Sequence, residues 1–210
     1  MAKRDVPNSS DMDYDDEIIN NVRICSIISL SPERFQADMR HVDIGDGVQL
    51  SAIAWGGPVA LETEPLLARY LVTAPLAGEI TIGSGEDNVV ADTEHAAIID
   101  PRAKTEQRWS TDAAAIWLHL SRECVENEAR HLLRAQERSV TLPPRRPVRF
   151  SPTIELTHGA AQRWHATLRR LVDLLDDYEP GRIPPHRLAV LRRDVTAGLL
   201  RAAWRSRPDH

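Results

Sequence analysis

A chain of 210 residues with 42% hydrophobic and 27% charged side chains has an ordinary globular balance, enough for one core with a helical appendage. Its two cysteines, Cys25 and Cys124, lie far apart with no CxxC spacing, which excludes a disulfide framework and a zinc knuckle and fits a reducing compartment. Residues 1–133 carry 11 Lys and Arg against 23 Asp and Glu, and residues 134–210 carry 15 against 8, so halves of −12 and +7 make up the net −5. The arginines of the basic half alternate with acids and sit between leucines, as on a solvated helix face, so direct DNA binding by this chain is not expected.

Residues 1–20, with Asp11, Asp13, Asp15, Asp16 and Glu17, have little to bury and are expected to form an acidic flexible tail. The apolar run 24–30 is too short for a secretory core or a membrane span, so a cytoplasmic protein with no membrane partner is expected. From there to Trp109, short apolar runs (ICSIISL, VQLSAIAW, ARYLVTAPL, EITIG, NVVADTEHAAIID) alternate with turn signals. Those signals include Gly45–Asp46–Gly47, Gly56–Gly57–Pro58, Ala77–Gly78–Glu79 and Gly83–Ser84–Gly85. The pattern predicts strands of a sandwich or barrel. Ser31 is read as the N-cap of a short helix over SPERFQADM.

Beyond Ser121 the period changes. Ser121 caps a predicted helix carrying Val125, Leu132 and Leu133, and Pro143, Pro144 and Pro147 impose an extended linker. Two helical stripes follow, Trp164, Leu168, Leu171 and Leu175 with Val172, then Leu188, Leu191, Val195 and Leu199. Pro180, Gly181, Pro184 and Pro185 separate them, which predicts an antiparallel hairpin. The stripes span more than one helix face, so the hairpin is expected to bury its leucines against the barrel and also in a homodimer. The division that results is a tail over 1–20, a barrel with a terminal helix over 21–142, and a linker with a dimerisation hairpin over 143–210.

The chemistry is thin. No GxSxG elbow or P-loop is present, and Cys25 and Cys124 lack a nucleophile signature. His41, His95, His119 and His131 are isolated, and Glu94 and His95, as strand neighbours, point to opposite faces and cannot both hold a metal. No cofactor, metal or catalytic residue is therefore assigned. Trp55, Tyr70, Trp109 and Trp117 fall on predicted strands, where they either line a cavity or fill the core. Arg69 or Arg102 would anchor the ligand if it is an anion.

Four segments in order, RYLVTAPLAGEITIGSG (69–85), EHAAIIDPRAKTEQRW (94–109), AIWLHLSRECVENEARHLL (115–133) and RFSPTIEL with GLLRAAWRSRPDH, resemble the effector-sensing region of the AraC family of bacterial transcription regulators, in its AraC-binding-like branch. The resemblance implies a mixed α+β fold, a cupin-like jelly-roll β-barrel followed by a C-terminal helical hairpin. It further implies a small-molecule effector, a homodimer, no enzyme activity, and DNA binding only through a C-terminal helix-turn-helix region not present in this chain. Glu94 and Gln107 stand where metal-binding cupins carry histidines. Two other readings remain: a small cupin-type metalloenzyme using His95, His119 and acids, and a stand-alone dimer that antagonises a full-length regulator. The effector, the target genes and the direction of regulation are not legible.

Overall fold

The computed structural model describes residues 17–19, 22–31, 33, 35–84, 87–99, 101–135, 148–177 and 183–204, without the side chains of 17–26, 84, 87 and 174–177. The strands are β1 (Glu17–Ile19), β2 (Val22–Ser29), β3 (Asp38–Asp43), β4 (Val48–Ala54), β5 (Val59–Thr63), β6 (Arg69–Ala77), β7 (Ile80–Ser84), β8 (Asp87–Ala91), β9 (His95–Ile99), β10 (Thr105–Trp109), β11 (Ala114–Ser121) and β12 (Thr153–Glu155). The helices are α1 (Arg122–Ala135), α2 (Gly159–Asp177) and α3 (Pro185–Ala203). One antiparallel sheet runs β1-β2-β5-β10-β7-β8 and the other β12-β9-β6-β11-β4-β3. Within them the eight strands β4 to β11 pair as 5-10-7-8 and 4-11-6-9, the double Greek key of a jelly roll. The fold is the cupin-like barrel with C-terminal helices that the sequence implied.

Alternation along β11 sorts the two cores. Ala115, Trp117 and His119 face one side of the sheet; Ile116, Leu118 and Leu120 face the other. The first side, with Leu71, Ile99, Leu61, Ile82 and Trp109, fills the barrel interior. The second joins Val72 and Leu50 to Val125 and Ala129 of α1, Trp164 and Leu168 of α2, and Val195 and Leu199 of α3. The helices thus cover the outer face of the β4–β11–β6–β9 sheet, while Glu62, Glu106 and Arg108 leave the opposite sheet facing solvent.

The turn residues act as read. Gly45, Asp46 and Gly47 all have positive φ (88°, 49° and 73°) in the β3–β4 turn, and Ser121 Oγ accepts the Cys124 amide at 3.1 Å as the cap of α1. Arg192 of α3 pins that turn, donating to Ile44 O at 3.2 Å and pairing with Asp46 at 2.7 Å. Of the segment 31–39 expected as a short helix capped by Ser31, residue 33 lies in a 3-10 turn, residues 35–37 are irregular and 38–39 begin β3 (38–43). There Met39 packs into the barrel interior and Val42 against the helix-covered face, held by the pairing with β4. Residues 17–19, read as tail, form the edge strand β1 on β2. The rest of the tail and the proline linker lie outside the described residues.

Candidate functional site

The inner wall of the barrel combines aromatic and polar groups. Phe35 stacks on Trp55 at 6.2 Å, and edge contacts lead from Trp55 to Trp109 (6.0 Å), to Trp117 (5.9 Å) and to His119 (6.1 Å). Register places Thr73, Trp117 and Ser51 in one row across the sheet and Leu71, His119 and Gln49 in the next. Trp109 Nε1 donates to Gln107 Oε1 at 3.2 Å, and Thr63 and Thr105 share a hydroxyl bond of 2.7 Å. Trp117 Nε1, Thr73 Oγ1, Gln107 Nε2 and both ring nitrogens of His119 have no hydrogen-bond partner among the described residues. Burial, with Arg69 and His41 nearby, pushes His119 down to about 3, so its ring is neutral.

At the edge of this barrel lies a cavity of about 330 Å3, toward the lower end of the size of small-molecule sites. Its floor is inner-face apolar residues, Ile82, Val89, Ala97 and Ile99. Tyr70 and Phe150, in edge contact at 5.2 Å, form one wall. Among the described residues, the charged ones in its lining are Arg102, Arg122 and Arg149. Arg122 is held by Glu126 at 2.5 Å. The outer wall is the segment 148–152, which enters the hairpin and is tied on three sides. Val148 O accepts the Tyr70 hydroxyl (2.8 Å), Pro152 O accepts the Ile98 amide (2.8 Å), and the Ser151 amide donates to Ala203 O at the end of α3 (3.1 Å). Phe150 also bridges to Trp204.

A second groove, about 770 Å3, lies between α1 and α3 beside the β3–β4 turn. It carries both signs of charge, Asp46, Glu123 and Glu128 with Arg192 and Arg193, and two of these pairs close on themselves: Arg192 with Asp46, and Arg193 with Glu128 at 3.8 Å. Such a surface has no single-signed field with which to hold a ligand.

The residues singled out from sequence separate into groups. Trp55, Trp109 and Trp117 face the barrel interior, and Tyr70 and Arg102 line the edge cavity. Arg69 joins neither set; it donates to Gln49 Oε1 at 3.3 Å beyond the His119 row. Of the residues expected at a dimer interface, Trp164, Leu168, Leu171, Val195 and Leu199 are buried within this one chain. Leu188 and Leu191 are half-buried against the same core, and the side chain of Leu175 is outside the described set. His95 pairs with Asp92 at 2.9 Å and does not meet His119. His119 is opposite Leu71, Leu71 is opposite Ile99, and His95 is a further four residues along β9, about 13 Å at ~3.3 Å per residue. No group of three or more metal-ligating side chains occurs among the described residues. Sequence reading missed Arg122 and the adjacent pair Arg149 and Phe150, which are distant in the chain from Arg122 and Arg102 and meet them because β12 returns to β9.

No described helix is long and apolar enough to cross a membrane. Comparison with solved structures finds the AraC-like transcriptional activator CuxR at 14% identity and a TM-score of 0.63, covering 91% of this chain and 64% of that one. The chain thus spans somewhat under two thirds of that activator structure. A cupin superfamily protein from Desulfitobacterium hafniense (17% identity, 41% of this chain, 77% of that one, TM-score 0.34) and a protein of unknown function from Rhizobium leguminosarum (12%, 40%, 81%, 0.32) resemble a part of it. No curated protein matches. The model of the AraC-binding-like domain matches residues 25–203, and the chain belongs to that family.

Proposed function

We propose that this chain is the effector-sensing and dimerising module of a cytoplasmic transcription regulator of the AraC family, not an enzyme, with DNA binding carried by a region outside residues 1–210. One observation carries the reading: the edge cavity is walled by the barrel on one side and by segment 148–152, the entrance to the hairpin, on the other. A ligand there touches both parts. If it binds better when that segment is seated than when it is loosened, it shifts the placement of α2 and α3, which is the differential affinity that switching requires. Trp55, Trp109 and Trp117 belong to the same inner core as the floor residues Ile82, Ala97 and Ile99, which backs that floor.

Homodimerisation belongs to the solvent face of the hairpin, since its leucine stripes are used within the chain. Val190 of α3, 58% exposed, marks that face. The division into tail, barrel and hairpin follows the same logic, with segment 148–152 as the coupling element.

The test compares transcripts in the native host between wild type, a deletion of the gene, and Val89→Phe, which fills the cavity from its floor. Deletion is expected to change a small set of transcripts, and Val89→Phe to fix the same set in one state. Identical transcripts in wild type and deletion strains would overturn the regulator reading.

A further inference from the structure

We infer that the β3–β4 turn is the fulcrum of α3, held in shape by side chains at one end of the barrel and gripping the helix through Arg192, so that α3 acts as a lever between that turn and segment 148–152. A chain of hydrogen bonds runs through the turn. On the barrel side, Arg69 of β6 donates to Gln49 Oε1 at 3.3 Å, and Gln49 of β4 donates to Asp43 Oδ2 at 3.2 Å. The other carboxylate oxygen, Asp43 Oδ1, accepts the Gly45 amide at 2.7 Å. On the helix side, Arg192 donates to Ile44 O at 3.2 Å and pairs with Asp46 at 2.7 Å. Asp46 O accepts the Ser121 hydroxyl at 3.2 Å and Gly47 O accepts the Ser121 amide at 2.8 Å, which ties in the start of α1. Three consecutive left-handed residues, the middle one Asp46, form a backbone that persists only where its surroundings over-determine it. Those surroundings are close: a Cβ on Gly45 would lie 2.9 Å from Arg192 Nη1, and one on Gly47 2.6 Å from Ser121 Cβ. The turn is wedged between α3 and the start of α1, so a change in its shape moves the Arg192 side chain.

α3 is held again at its far end, where Ala203 O accepts the Ser151 amide at 3.1 Å and Trp204 bridges to Phe150. Ala203 follows Arg192 by 11 positions, about 17 Å along a helix at ~1.5 Å per residue. A rigid element attached at two separate points carries a displacement from one to the other. In the switching proposed above, release of segment 148–152 swings the far end of α3 about Arg192; that use of the lever rests on the sensor reading, whereas the fulcrum is a property of the fold.

The experiment is a double-mutant cycle in urea unfolding of the intact chain, Gln49→Met with Arg192→Gln, two positions that the turn separates. Gln49→Met keeps the length of the side chain and removes its bonds to Arg69 and Asp43. If it unfolds the chain, Asp43→Asn at an exposed position takes its place, since an amide can still accept the Gly45 amide and cannot also accept from Gln49 at its nitrogen. A coupling of at least about threefold in the folding equilibrium constant is expected. Thr105→Val, which breaks the Thr63–Thr105 bond on the opposite sheet, should combine with Arg192→Gln additively to within about twofold. Hydrogen exchange then reads the lever: Arg192→Gln should speed the Ser151 amide, at the other end of α3, at least about threefold, and Thr105→Val should not. An additive Gln49–Arg192 pair would overturn the relay through the turn. A Ser151 amide that is unchanged, or sped equally by Thr105→Val, would overturn the lever. Neither result bears on the regulator reading, which stands or falls on the transcript comparison.

Discussion

Gly198 of α3 is a close approach between the hairpin helices and allows a quantitative test of how they are held. A Cβ added there would lie 2.7 Å from Cδ1 of Trp164 and 3.4 Å from its Cβ and Cγ. Trp164 has little room to yield: it is 2% exposed, and its Nε1 donates to Val195 O at 3.0 Å. Two effects oppose each other in Gly198→Ala. Helix propensity gains about 1 kcal/mol, and forcing a methyl against a pinned ring in a close-packed core costs about 1–3 kcal/mol. Because the ring is both buried and hydrogen-bonded, the clash wins, and a net loss of up to about 2 kcal/mol is expected in urea unfolding. In a Trp164→Ala background, itself costing about 3–5 kcal/mol, the clash is gone and the same Gly198→Ala substitution should stabilise by up to about 1 kcal/mol. That reversal of sign is the signature of the contact. If Gly198→Ala stabilises the wild type, or costs the same in both backgrounds, the close packing of α2 on α3 is wrong.

Tyr70→Phe removes a buried hydroxyl bond to Val148 O and should cost about 1–2 kcal/mol, with faster hydrogen exchange at the Ser151 and Leu156 amides; unchanged exchange there would detach Tyr70 from the coupling segment. His119 is pushed down to about 3 in the folded chain against 6.5 unfolded, so folding expels its proton. Stability is therefore complete above the unfolded value and falls with acid by about 1.4 kcal/mol per pH unit toward the folded value, about 2 kcal/mol between about pH 7 and pH 5. His119→Phe should remove that share of the slope, leaving the same-signed contributions of His41 and His165, and an unaltered slope would contradict the buried neutral ring. In the homodimer proposed above, Val190→Asp is expected to leave stability within about 0.5 kcal/mol and to halve the solution mass measured by light scattering; a wild type of monomer mass would refute the dimer, and a variant that stays dimeric would move the interface elsewhere. Leu168→Asp, by contrast, should unfold the hairpin, because Leu168 is fully buried within the chain.

Much of the architecture was legible in local chemistry. Glycine turns such as Gly45–Asp46–Gly47 punctuate short apolar runs, and β-strands followed by leucine-periodic helices leave few alternatives to a barrel with a hairpin. The Ser121 cap was readable because it needs only its own neighbourhood. By the same measure, β5 and β10 alternate buried and exposed residues (VALET, TEQRW) and carry a period of two, but their polar outer positions conceal them among the longer apolar runs. The end of the segment 31–39 is strand and not helix because β3 is stabilised by β4, whose pairing no local pattern encodes.

The sequence by itself determined periodicity, turns, caps and the charge of each half, all of which depend on residues within a few positions of one another. Only the tertiary structure decided which face each strand presents, since one step of register reverses every side chain. That step sent Trp117 and His119 inward and Tyr70 outward. It also decided that the hairpin leucines are spent on the barrel, and that Arg102, Arg122 and Arg149 meet around one cavity, because their meeting depends on β12 pairing with β9 across a long stretch of chain.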